Sequence, residues 1–256
     1  MADFDPTANN QQYGQPQVQY SEGLMGAPPA AVTNLVNENI PEGCTKVFKL
    51  VYWQQFFQST TAEVFQRCLQ SLIIFKGDFI ADVIQTKPDL WYPVWNVITL
   101  IFAAFVSGVI TAMVQSTSDV GAQASTIGIF SGVLAGYAFL VPALLGAICW
   151  CMDMEDISYM VLLDLIVYSM TILIPIFIFY PISSIITTAK VMRTVAIIIY
   201  SVCAAWSQIF IVYHGLRYVR TFKGTKGMIV GISLAIILLH AAFLVTIGCL
   251  MFVIKT

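Results

Sequence analysis

Two titratable side chains, Asp164 and His240, stand inside stretches of sequence that are otherwise almost wholly apolar. A carboxyl or an imidazole is costly in hydrocarbon and persists there when it is paired, neutralised or used. Two kinds of chemistry fit. Each group could cap or clamp neighbouring helices through hydrogen bonds. Alternatively the two could relay a proton or an ion, and the chain would then be a small transporter or channel. A third carboxylate, Asp89, opens the stretch Asp89-Leu90-Trp91-Tyr92-Pro93-Val94-Trp95. Asp at a helix start accepts from free backbone N–H groups and meets the positive end of the dipole. Pro93 suits the first turn, where its missing N–H costs nothing. Trp91, Tyr92 and Trp95 have the amphipathic rings favoured at the headgroup level. This is where the chain changes solvent.

The patterns that catalysis needs are missing. There is no phosphate-cradling Walker loop, no nucleophile elbow, no His-Glu-x-x-His and no clustered Cys/His site, so neither an enzyme nor a cofactor or metal is expected. The six cysteines (44, 68, 149, 151, 203 and 249) show neither zinc spacing nor a secreted disulfide pattern. Cys149 and Cys151 flank Trp150 at a membrane edge, where reversible palmitoylation is conceivable. Only 10% of the 256 residues are charged and 58% are hydrophobic, against about 25% charged in an ordinary soluble domain. The formal charge of −2 gives no reason to expect nucleic acid as a partner.

The elements that must position these residues form an all-α polytopic membrane protein. Residues 1–45, rich in Asn, Gln, Pro and Gly, read as a disordered cytosolic tail. Residues 46–88 read as an amphipathic helical cytosolic region. In it, Thr60 and Glu63 make a capping-box signature, Val64, Phe65, Cys68, Leu69 and Leu72 share a face, and Phe79, Ile80, Val83 and Ile84 mark a further short piece. Its face lacks the Lys/Arg density of a surface-seeking helix, so packing against the bundle or a partner is expected. Residues 89–256 hold five hydrophobic runs, near 93–114, 126–150, 158–182, 191–213 and 228–254, each long enough to cross the hydrocarbon layer. With the N-terminus in the cytosol, Lys76, Lys87, Arg217, Arg220, Lys223 and Lys226 fall on the cytosolic side and Lys190, Arg193 and Lys255 opposite. The positive-inside rule therefore places the N-terminus in the cytosol and the C-terminus in the lumen.

Gly128, Gly132 and Gly136 recur at four-residue steps in the second run, as Ala104, Gly108 and Ala112 do in the first. Such stripes let backbones approach closely. Packing within the monomer is the favoured reading, and a homo- or hetero-oligomer seam is the other. Pro142 and Pro175 interrupt their helices locally. The basic stretch 214–227, holding Arg217 and Arg220, is expected to be a cytosolic link, and Asp164 lies shallow enough for that link or water to reach it.

Several of these motifs together resemble the Yip-domain family, the Rab/Ypt-interacting five-span proteins of the early secretory pathway. Val51-Tyr-Trp-Gln-Gln-Phe-Phe57, Val64-Phe65-Gln66-Arg67 and Ser71-Leu72 resemble its pre-membrane region. Asp89-Leu90-Trp91-Tyr92-Pro93-Val94-Trp95 is similar to its Asp-Leu-Tyr-Gly-Pro-Phe-Trp signature, with Trp91 for Tyr and Tyr92 for Gly. Gly136-Tyr137 with Val141-Pro142 resembles the second signature, Asp164 stands where relatives have an acidic residue, and Leu239-His240 and Gly248 match the last span. The likeness runs from about Val47 to Phe252 and is closest to the Golgi-type members. It implies a non-enzymatic factor in vesicle-mediated transport, in the Golgi membrane or cycling through the endoplasmic reticulum. It further implies that the protein binds prenylated Rab-type small GTPases and pairs with Yif- and Yip-type membrane proteins. A structural scaffold shaping Golgi membranes is a third reading beside the Rab adaptor and the transporter.

Overall fold

The structure, a computed structural model, describes residues 50–75, 77–84, 87–115, 120–152, 154, 157–179 and 189–252. Expectations for the 1–45 tail, and for the link between spans three and four over 183–188, fall outside those residues. Every regular element among them is helical, and five helices are long and apolar enough to cross a membrane: Trp91–Ile110, Ile127–Cys151, Tyr159–Phe179, Arg193–Val219 and Lys226–Phe252. We call these spans one to five. Ahead of them lie α1 (Leu50–Gln54), continued by a 3-10 turn at Gln55–Phe57, and α2 (Thr61–Ser71).

Span three is the axis. In its most apolar stretch 78% of the residues are buried, against 28–33% in the other four spans, so the rest pack around it and turn their outer faces to lipid. Two prolines shape the helices that matter most. Pro142 has no N–H to offer the preceding turn, which widens into a π-helical turn at Gly136–Leu140. Upstream of Pro175 the helix tightens instead into a 3-10 turn at Thr171–Leu173, and the Thr171 N–H bonds the Tyr168 carbonyl rather than that of Val167. A third irregularity, a π turn at Ile211–Gly215, lies in span four.

Some expectations meet a different arrangement. Span four runs on through 214–219, so His214 is buried in the helix among Phe79, Phe210 and Tyr213, and the basic link shortens to 220–225. Arg217 stays in helix because its guanidinium stacks 4.2 Å over the Tyr213 ring and its Nη1 donates to the Gly77 carbonyl at 3.3 Å. The glycine stripe does not pack inside the monomer. Among the described residues a Cβ built on Gly108, Gly128 or Gly132 would meet nothing within 4 Å, and one on Gly136 would touch only Leu140 of its own span. The close helix approach is elsewhere: a Cβ on Gly248 would lie 2.9 Å from the Tyr200 ring, which bonds the Leu244 carbonyl through its hydroxyl.

The capping box at α2 is present in both directions, Thr60 N–H to Glu63 Oε2 at 2.9 Å and Glu63 N–H to Thr60 Oγ1 at 3.3 Å. The helix it starts is turned differently from the expected apolar face. Arg67 and Ser71 are buried against the bundle, while Phe65 and Leu69 point away. A buried ionic partner for Arg67 outweighs the apolar stripe in setting this rotation.

Candidate functional site

Asp89 ends the approach to span one, and its Oδ1 accepts the Tyr92 N–H at 2.8 Å, capping that helix as its position foretells. Its Oδ2 takes Arg67 Nη1 at 2.9 Å and the Tyr168 hydroxyl at 3.3 Å. The pair is sealed, with the Arg67 side chain 9% exposed and that of Asp89 0%. Arg67 Nη1 also donates to the Lys87 carbonyl at 2.8 Å, and Lys87 Nζ meets Glu63 Oε2 at 3.0 Å. Leu90 donates its N–H to the Phe56 carbonyl at 2.8 Å, so α1, α2 and the mouth of span one form one knot. Burial pushes the Asp89 carboxyl above its ordinary range, against the opposing pull of the Tyr92 amide, Arg67 and Tyr168. At Glu63, burial also acts upward, but the Thr60 amide and Lys87 outweigh it and the pKa ends below its ordinary value.

Asp164 faces this knot from span three. Its Oδ2 accepts the Asp89 N–H at 3.0 Å, and Oδ1 has no donor among the described residues. The group that reaches it is therefore the mouth of span one, not the basic link expected from sequence: Arg217 points to Gly77, and Arg220 is exposed. Tyr92 stacks on Tyr168 with ring centroids 4.1 Å apart and shares a 2.5 Å hydrogen bond with Thr171.

Below the knot the 3-10 turn has a consequence. Because Thr171 bonds Tyr168, the Val167 carbonyl is left for Asn96 Nδ2 of span one, at 3.0 Å. The Ser169 carbonyl, two residues on, takes the Ser207 hydroxyl of span four at 2.6 Å. Ser207 lies 2.9 Å from His240 Nε2 of span five, and His240 Nδ1 lies 2.5 Å from the Tyr137 hydroxyl of span two. A carbonyl only accepts, so the Ser207 proton goes to Ser169 and Ser207 must accept from Nε2–H. In the neutral ring Nδ1 is then the acceptor for Tyr137 O–H. The order Tyr137, His240, Ser207, Ser169 has a single direction, and with Asn96 it ties the other four spans to span three. Tyr137 is held for this by the π turn ahead of Pro142 and by stacking on Phe243 at 3.9 Å.

Asp164 and His240 do not meet. Each belongs to its own cluster, one at the mouth and one at mid-membrane, joined through the backbone of span three. The sequence reading missed Arg67, Asn96, Tyr168, Thr171 and Ser207. A search for every strong hydrogen-bonding side chain within the runs would have flagged Asn96 and Ser207, and Tyr168 sits one helical turn from Asp164. Pro93 lies in the first turn of span one. Cys149 is buried while Cys151 is exposed, so of these two thiols only Cys151 faces outward. Among the described residues no group of His, Cys, Asp or Glu could hold a metal ion.

The family model of the Yip1 domain matches residues 70–246, more than two thirds of the chain, from the end of α2 into span five. The chain belongs to the Yip1-domain family. It is also similar to Protein YIP5 of Schizosaccharomyces pombe, with 32% identity over 98 residues, which cover 37% of this chain and 39% of that relative. No solved structure matches. The Yip1-domain match encloses Asp89, Asp164, Tyr137, Ser207 and His240, so the whole mid-membrane chain lies within it; Arg67 and Glu63 lie just outside.

Proposed function

We propose that this Yip1-domain protein is a non-enzymatic factor in vesicle-mediated transport at the Golgi, which docks a prenylated Rab-type small GTPase on its cytosolic side and pairs with Yif- or Yip-type membrane proteins. Family membership supports the class of activity. The observation that carries the docking surface is the bond from Arg217 to Gly77, which sets the pre-membrane region beside the basic link. Arg217, Arg220, Lys223 and Lys226 are exposed around that junction and form a cationic rim. The same rim fits an N-terminus in the cytosol and a C-terminus in the lumen. The open glycine face of span two suits a second membrane protein, since a Cβ on Gly128 or Gly132 would meet nothing within 4 Å among the described residues.

The test is reconstitution of the full chain in liposomes with a prenylated Rab-type GTPase. Binding should fall when Arg220 and Lys223 are both reversed to Glu, and should weaken with salt. Unchanged binding removes the rim from the docking surface. Gly132→Leu should leave the fold intact and abolish capture of the membrane partner; loss of folding would refute the seam.

A further inference from the structure

The turn that follows α2 reaches the middle of span four. The Leu72 carbonyl accepts Trp206 Nε1 at 3.2 Å, and Trp206 is midway along span four, thirteen residues from either end. At about 1.5 Å per residue, that is about 20 Å from each end. The helix itself starts at Ala189, so it is about 45 Å long and overhangs a hydrocarbon layer of about 30 Å by about 15 Å; with that shared between its ends, Trp206 lies about 12 Å below the boundary on the 220–225 side. Side chains on a helix lean towards its N-terminus, here the end away from the 220–225 link, which takes Leu72 deeper still. From there the chain climbs back through a turn at Gly77, where φ is +76° and Arg217 closes the return. The other end of α2 stays polar, with Glu63 on Lys87 beside the mouth of span one. The helix descends from that mouth, reverses at Leu72–Phe75 and leaves on the same side.

We propose that α2 and the following turn form a re-entrant wedge in a single leaflet, with Phe65, Leu69, Ile73 and Phe75 solvated by phospholipid acyl chains. The first three recur every four residues on the face opposite Arg67 and Ser71, and all four are exposed. Phe65 at 63% and Phe75 at 65% are as open as Phe102, 64%, on the outer face of span one. The surface is continuous with the lipid-facing belt at both ends. Phe57 meets Trp91 edge to face at 6.0 Å, and Trp91 meets Trp95 at 5.7 Å. Phe75 meets Trp206 at 6.5 Å and Tyr213 at 5.4 Å. Depth and continuity together make lipid the occupant, and this holds whether or not the rim above it binds a GTPase. In the orientation proposed above the leaflet is the cytosolic one.

The test places p-benzoylphenylalanine at Phe65 or Phe75 in the full chain, in native membranes and in liposomes of the pure protein, with Phe102 as the lipid-facing control and Glu63 as the polar one. Both Phe positions point outward, so the fold should tolerate the larger ring. Irradiation should give acyl-chain adducts at 65 and 75 in yields similar to 102, and few at 63. Three outcomes overturn the wedge: adducts confined to headgroups, no lipid adducts at 65 and 75 beside a normal yield at 102, or adducts to another protein in native membranes in place of lipid.

Discussion

Removing the charge of Arg67 tests the knot that seats span one. Arg67→Met keeps an apolar stem and deletes the guanidinium that faces Asp89 at 2.9 Å. Breaking a buried ion pair at one end costs about 3–5 kcal/mol, because the surviving charge stays out of water. Asp89 would keep two donors, the Tyr92 amide and the Tyr168 hydroxyl, which puts the expectation at the lower end, about 3 kcal/mol. Asp89→Asn approaches the pair from the other side and strands Arg67 with the Lys87 carbonyl. The double variant removes both charges, and Asn still accepts the Tyr92 N–H as a helix cap. It should therefore be more stable than the sum of the single losses predicts, by about 2–3 kcal/mol. Reversible unfolding of the full chain in mixed micelles, or steric trapping in bicelles, measures all four corners of the cycle. Simple additivity would refute the assignment of Arg67 as the partner that makes Asp89 tolerable.

The pH dependence adds an independent check. Burial holds the folded pKa of Asp89 above its unfolded value, so between the two the folded state binds more protons and stability falls as pH rises. The Arg67→Met defect needs an ionised Asp89. It should be full above the variant's own folded pKa, which rises further without the cation, and shrink as pH falls from there towards the folded pKa of the unsubstituted chain, since a protonated carboxyl needs no cation. A defect of constant size between about pH 4 and about pH 8 would mean that Arg67 stabilises through packing alone.

Three further outcomes follow from the spans. Gly248→Ala should cost about 1–3 kcal/mol, because the added methyl meets a Tyr200 ring that its bond to Leu244 keeps from moving aside; an unfolding titration checks it, and Tyr200→Ala in the same chain should relieve the clash. Tyr137→Phe and Ser207→Ala each leave one nitrogen of a buried His240 without its partner, for about 1–3 kcal/mol apiece, and the pair should be non-additive if the chain is one unit. Asp164→Asn keeps the acceptor for the Asp89 N–H, so the fold should hold; proton flux into liposomes should be the same with and without it, and flux lost on substitution would promote the transporter.

How much of this could be read in the sequence depended on whether a residue announced itself against its neighbours. Five long apolar runs set the number of spans, and Asp89, Asp164 and His240 stood out because ionisable groups are rare in such runs. The Thr60 and Glu63 pairing is local and came through intact. The rotation of α2 did not, because the apolar stripe of Phe65 and Leu69 points to a buried face only when the helix stands in water. Beside a membrane the same stripe can turn outward and leave Arg67 to the core. Ser207 and Asn96 were hidden for another reason. Neutral polar side chains are common in spans and often bond within their own helix, as Ser131, Ser201 and Ser233 do to carbonyls four residues back. What singles out Ser207 and Asn96 is that they bond carbonyls of another span, Ser169 and Val167, and the Val167 carbonyl is freed by the turn ahead of Pro175.

That turn explains why so polar a seam can exist at mid-membrane. A carbonyl in a regular helix is already engaged by one of its own amides and has only its second lone pair to offer a neighbour. By shifting to 3-10 bonding at Thr171, span three turns the Val167 carbonyl over to Asn96 of span one, while the Ser169 carbonyl in the same stretch accepts Ser207 of span four. His240 then needs only Ser207 and Tyr137, and the π turn beside Pro142 lies at Tyr137. The two prolines and the polar residues thus depend on each other. If Pro175 were replaced by Ala and the helix regularised, Asn96 would have to share the Val167 carbonyl with the Thr171 amide, and the cost would reach span one as well as the substituted site.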